Sequence, residues 1–162
     1  IAGLPTDTPE SFKNSLDSIV RLNAECITVH TLCMKRASRL TTEGVTLDLQ
    51  QARDAREMLA YTQNILGQNE YIPYYMYRQS RMVGNLENVG WSKKGFESLY
   101  NVYVMDETHT ILACGSGGVT KLKRNNPDYL ERIFNFKYPY EYIDRFDELI
   151  QRKSGIMQFY GQ

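Results

Sequence analysis

Apolar positions along the chain follow two rhythms, one of roughly 3.6 residues and one that runs unbroken for a strand's length. Behind Thr8-Pro9-Glu10, Phe12, Leu16, Ile19 and Val20 recur at helical spacing, with Lys13, Asn14, Asp17 and Arg21 on the other side. A hydroxyl N-cap, a first-turn proline and an early acid mark where that helix starts, and Asn23 ends it. Residues 26–32 are β-rich and apolar on both faces, which suits a buried parallel strand. Residues 1–4 read as the end of an earlier strand, turned by Gly3 and Pro5. Strand, helix and strand form the βαβ unit of an α/β fold.

Asp48 caps a second helix whose inner face is Leu49, Ala52, Ala55, Met58, Leu59, Thr62 and Ile65, closed by Gly67. A strand over 71–78 follows and makes a second βαβ, with its strands as neighbours in a parallel sheet. Residues 96–105 fit either a helix or a strand, with a short helix preferred. Residues 111–114 form a short strand that runs into Gly115-Ser116-Gly117-Gly118 and then 119–122. Residues 124–128 are a turn and 129–136 a strand. A last helix over 140–153 buries Tyr142, Ile143, Phe146, Leu149 and Ile150.

The stretch 71–91 is the centre of this pattern. Tyr71, Ile72, Tyr74, Tyr75, Met76 and Tyr77 make an apolar, aromatic strand, broken at once by Arg78, Gln79, Ser80 and Arg81. A loop bracketed by Gly84 and Gly90 comes next, closed by the single tryptophan, Trp91, and ended by Lys93-Lys94-Gly95. In α/β folds ligands bind beyond the carboxyl ends of the strands, where such polar breaks stand. A tyrosine-rich core strand with a solvated loop fits the same letters equally well.

Size and charge narrow the classes. The 162 residues are enough for one domain with a real core. Nineteen basic residues balance nineteen acidic ones, so overall charge gives no pull toward nucleic acid or a membrane surface. No apolar run approaches the ~20 residues of a membrane span. Cys26, Cys33 and Cys114 are odd in number and far apart, which argues for a reducing, cytoplasmic setting and against a disulfide framework. With His30 and His109 the only histidines, a zinc site from this chain alone is not expected. The opening Ile1-Ala2-Gly3-Leu4-Pro5, with no starting Met, reads as a piece of a longer protein.

Three segments carry candidate chemistry. In 28–33 a strand delivers His30, which could act as acid or base, and Cys33, which could be reactive; each is more often a buried structural residue. The second segment is 78–91. The third is Gly115-Ser116-Gly117-Gly118, whose backbone could approach an anion but which fits neither a Walker loop nor GxGxxG; a tight turn explains it as well. Lys35, Arg36, Arg39, Arg78 and Arg81 fall after two strands, and loops opening on one face would give a cationic rim for carboxylates or phosphates.

The strings IAGLPTDTPESFKNSLDSIVRLNAECITVHTLCMKRASRL and YYMYRQSRMVGNLENVGW resemble the oxygen-independent coproporphyrinogen III oxidases, in their coproporphyrinogen dehydrogenase branch, within the radical S-adenosylmethionine superfamily. The resemblance runs from Ile1 to about Leu122. It implies the second half of a partial (β/α)6 TIM-like barrel over 1–122, with a C-terminal α+β extension over 123–162. It also implies oxidative decarboxylation of propionates to vinyls in haem biosynthesis, using S-adenosyl-L-methionine and a four-iron, four-sulfur cluster. The cluster's CxxxCxxC loop and the glycine-rich strand for the cofactor's amino group are missing from these residues, so no cofactor is expected on this piece, and alone it should be inactive.

By the same resemblance Cys33 and Val119 fall at cofactor-contacting positions. Arg78, Gln79 and Asn85 are expected to face the porphyrinogen substrate. A haem-binding chaperone of a sister branch is the alternative. Neither nucleic acid nor membrane is an expected partner. The unpaired edge of the first strand is expected to drive self-association, unless a terminal segment of the chain covers it.

Overall fold

Helix α1, Pro9–Arg21, starts where the sequence expects: the Thr8 hydroxyl accepts from the Ser11 amide at 3.2 Å, and the Ser11 hydroxyl accepts from the Thr8 amide at 3.1 Å. Its inner face buries Phe12 and Leu16, while Ile19 stays largely exposed. These contacts come from a computed structural model that describes all residues except 36, 37, 47, 127 and 162. Arg36, placed in the cationic rim by the sequence, lies outside the described residues. The chain divides into two compact units, Ile1–Val102 and Tyr103–Gln162.

In the first unit β1 (Cys26–Val29) alternates, with Ile27 and Val29 buried and Cys26 and Thr28 exposed. The expectation of a strand buried on both faces is corrected: a single face meets the core. After the short α2 (Arg39–Thr42) comes α3 (Leu49–Gln68), capped by Asp48, which trades hydrogen bonds with Gln51 at 2.8 and 3.0 Å. Helix α3 runs through Gly67, so Gly67 does not close it. It buries Ala55, Met58, Thr62 and Leu66, but Leu49 in its first turn is 79% exposed.

Strand β2 (Tyr71–Tyr77) is where the tyrosine pattern put it. A one-turn 3-10 helix, Val83–Asn85, leads to β3 (Asn88–Lys93), and the sheet order is β1-β3-β2. Strand β3 is antiparallel to both neighbours, with Ile27 opposite Trp91, Thr28 opposite Gly90 and Tyr75 opposite Gly90. This corrects two expectations. Residues 88–91 are the middle of the sheet, not the end of a loop. Strands β1 and β2 run in the same direction yet are not neighbours. Asn, Gly and Ser are poor strand formers, so β3 owes its conformation to the two strands that flank it.

The first βαβ survives in outline. Ala2 pairs in parallel with Thr31 through one bridge, donating to the His30 carbonyl at 2.7 Å and accepting from the Leu32 amide at 2.9 Å. Gly3 makes this possible. Its φ is +80° and a Cβ there would stand 3.1 Å from Ala55 Cβ, so only glycine lets the segment run so close to α3. Phe12, Leu16, Ile27, Met58, Leu66 and Trp91 share one core on the helix side of the sheet. Burying each such side chain contributes roughly 1.5–3 kcal/mol.

Helix α4 (Leu99–Asp106) bears out the short helix expected over 96–105. The second unit holds the antiparallel hairpin of β4 (Val119–Asn125) and β5 (Asp128–Phe134). The strand expected at 111–114 is a single bridge from Ile111 to Lys121. The expected last helix is three: α5 (Pro139–Asp144), α6 (Phe146–Lys153) and α7 (Gly155–Tyr160). The first break falls at Arg145 (φ −113°, ψ 32°), whose guanidinium sits 4.1 Å over the buried Phe136 ring, as does that of Arg152. The break resets the helical phase, so Leu149 is buried while Ile143, Phe146 and Ile150 are exposed.

Candidate functional site

Because β1 and β2 point the same way, the segments leaving them meet. Cys33 bridges Met82, the Met34 amide donates to the Arg81 carbonyl at 3.1 Å, and the Val83 amide donates to Leu32 at 3.0 Å. The Cys33 thiol donates to the Ser80 carbonyl at 3.2 Å. Two adjoining cavities open there. One, about 650 Å³, is lined by Cys33, Met34, Lys35, Gln79, Ser80 and Arg81. The other, about 250 Å³, shares Cys33, Lys35 and Gln79 and adds His30, Thr31, Tyr77 and Asn88.

Opposite the helices the sheet presents a polar, aromatic face. Thr28 Oγ1 and the Tyr75 hydroxyl are 3.1 Å apart, and the Tyr77 hydroxyl stands 3.5 Å from His30 Nε2. The Tyr75 and Tyr77 rings are nearly parallel, 9° apart. Buried Asn88 fixes the turn toward Cys33: its Oδ1 accepts from the Thr31 amide at 2.8 Å, while Thr31 Oγ1 donates to the Glu87 carbonyl at 2.9 Å.

The structure brings His30, Cys33, Lys35, Gln79 and Arg81 to one place. Arg78 is turned to Glu87 in an ion pair and lines neither cavity. Arg39 is likewise paired, with Glu43 at 2.9 Å. Asn85 sits in the 3-10 turn at φ +55° and also lines neither. Val119 opens β4 in the second unit, opposite Phe134. Tyr77 was missed as a site residue. Its partner His30 is 47 residues away, and their meeting depends on β3.

The glycine-rich segment is a turn. The Gly117 amide donates to the Phe136 carbonyl at 2.7 Å and that of Gly118 to Gly115 at 3.3 Å, while Asn135 Nδ2 donates to the Gly115 carbonyl at 2.8 Å. Those amides are spent on the turn and are not free for an anion. Nearby, the Lys153 ammonium donates to the Ala113 carbonyl at 2.9 Å and to Thr120 Oγ1 at 2.6 Å. Burial pushes it below the usual lysine range, against the opposing pull of the Cys114 thiol.

Among the described residues no group of three His, Cys, Asp or Glu side chains could hold a metal ion. Cys26 donates to the Phe96 carbonyl at 2.9 Å, and Cys33 is engaged with Ser80. These donors do not fit an iron–sulfur cluster. No helix among the described residues is long and apolar enough to cross a membrane.

Oxygen-independent coproporphyrinogen-III oxidase-like protein HemZ of Bacillus subtilis (strain 168) is 35% identical to the chain over 158 residues. The chain is a homologue of that protein. The match covers 98% of this chain and 32% of HemZ, so the chain spans about a third of the length of the curated relative it matches. No protein-family model matches the chain, and no solved structure matches it. The match to HemZ bears out the resemblance read from the two sequence strings.

Proposed function

We propose that the chain works as part of a longer coproporphyrinogen-III oxidase-like protein of haem biosynthesis, one that converts propionate side chains to vinyls. The 35% identity to HemZ, sustained over 158 residues, carries the reading. The first unit then supplies one wall of the parent's site, with helices α1 and α3 on one side of the β1-β3-β2 sheet and the face of Thr28, His30, Tyr75 and Tyr77 on the other. Cys33 touches S-adenosyl-L-methionine, and Arg78, Gln79 and Asn85 lie on the substrate side. Of these, Cys33 and Gln79 line both cavities.

When bound, S-adenosylmethionine would supply hydrogen-atom abstraction from a propionate, the electron that starts it coming from the parent's iron–sulfur cluster. This chain's residues bind, orient and shield. The iron–sulfur cluster needs ligands from outside the described residues, and the isolated chain forms no vinyl product. The isolated chain also self-associates at the edge near Ile1, which sedimentation would detect.

The full-length protein, reconstituted with iron and sulfide and given coproporphyrinogen III, S-adenosylmethionine and a reductant, yields vinyl-bearing products by mass spectrometry. A cluster-loaded sample that yields none overturns the reading. One observation favours a second reading, a haem-binding chaperone: His30, Cys33 and Tyr77, three haem-ligating residue types, line one cavity. Stoichiometric haem uptake that His30→Ala abolishes, without vinyl formation, supports that alternative.

A further inference from the structure

Resting on the oxidase-like reading, we infer that Lys35 and Arg81 form a two-cation clamp for neighbouring carboxylates of the substrate, the propionates that anchor the ring rather than the one reacting. Among the described residues they are the two cations lining the larger cavity, and no acidic side chain lines either cavity. The chain as a whole carries no net charge, so this pairing is a local excess. Of the rival cations among the described residues, Arg78 is paired with Glu87 and Arg39 with Glu43. Neither Lys35 nor Arg81 has an ion-pair partner among the described residues.

The backbone holds both in place. Arg81 has φ +64°, a left-handed conformation that a residue with a Cβ adopts at a cost, and its carbonyl is fixed by the Met34 amide at 3.1 Å. The segments bearing the two cations are further joined by the Cys33–Met82 bridge and the Cys33–Ser80 hydrogen bond. Rigid segments spare a binding site much of the ordering cost of a flexible loop. Gln79, between the cavities, offers an uncharged amide that can hydrogen-bond a third carboxylate or a pyrrole N–H.

The same charges could serve the carboxylate of S-adenosylmethionine or a phosphate, and the test separates these. Affinities of the full-length protein are measured by fluorescence quenching or calorimetry for coproporphyrin III, its uncharged tetramethyl ester, S-adenosylhomocysteine and inorganic pyrophosphate. Lys35→Gln and Arg81→Gln each weaken coproporphyrin III about tenfold, and together about a hundredfold. Both leave the ester and S-adenosylhomocysteine within about twofold. Lys94→Gln, away from the cavities, changes nothing. The clamp is wrong if the double variant binds coproporphyrin III like the wild type, or if ester binding falls equally. It is also wrong if the loss is confined to S-adenosylhomocysteine or to pyrophosphate. Vinyl formation by the wild type with normal coproporphyrin binding by the double variant sinks the clamp alone. Clamp-dependent binding without vinyl formation sinks the oxidase reading alone.

Discussion

The ring of Tyr75 lies directly over Gly90, so close that a Cβ at position 90 would stand 1.9 Å from Tyr75 Cε1. The central strand is glycine at this point because its neighbour's side chain occupies the space. Gly90→Ala must displace the ring or part the strands, and should destabilise the first unit by about 1–3 kcal/mol in urea unfolding. Adding Tyr75→Ala should recover part of that loss, since it removes the clash. Additive losses in the double variant would show that the two residues are not coupled.

Asn88 carries the load between sheet and cavity. Asn88→Ala strips the buried Thr31 amide of its acceptor, at about 1–3 kcal/mol. Hydrogen exchange at Thr31 should quicken, and Asn88→Asp, which keeps an acceptor oxygen, should largely prevent this. Unchanged exchange in the alanine variant would mean that another group holds the amide.

Helix α3 depends on its cap. Asp48→Ala removes the acceptor for the Gln51 amide and half of the capping box, a loss of about 1 kcal/mol. Asp48→Asn, which still caps, should cost less in the same melts.

The second unit should weaken in acid. Hydrogen bonding to Lys121, with further attraction from Lys121 and Arg132, holds the Glu107 carboxyl below the usual glutamate range. A depressed folded-state pKa means that the ion pairs stabilise fully above the unfolded glutamate's pKa. That stabilisation is lost as pH falls through the lower folded value. Thermal midpoints recorded from neutral pH down into the acid range should therefore drop, and Glu107→Gln should flatten the fall. A variant whose midpoint falls as steeply as the wild type's would remove Glu107 from the cause.

What the letters disclosed follows the reach of each interaction. Thr8-Pro9, Asp48 and the tyrosines of β2 act on their own neighbourhood, and the elements they mark stand where expected. Strand β3 was hidden because Asn88, Gly90 and Ser92 look like loop until β1 and β2 are set on either side. The helix break at Arg145 was hidden too, since it goes with stacking on Phe136, a residue outside the helical pattern. In the site, His30, Cys33, Gln79 and the cations Lys35 and Arg81 were legible as polar ends of strands. The neutralising of Arg78 was not, because Glu87 lies across a turn, nine residues on. Arg39 and Glu43, four apart on one helix, could have been paired by spacing alone.

The middle strand of the first sheet is the last of its three to be synthesised. Until Asn88–Lys93 leaves the ribosome, β1 and β2 have nothing between them to bond, and the core that needs Trp91 stays open. Assembly of this unit is therefore gated by its latest segment, and closure must join residues that are far apart in sequence, which slows folding. A chain stopped at residue 87 should show no protected sheet amides in pulse-labelled exchange, whereas one that includes residue 93 should show them together.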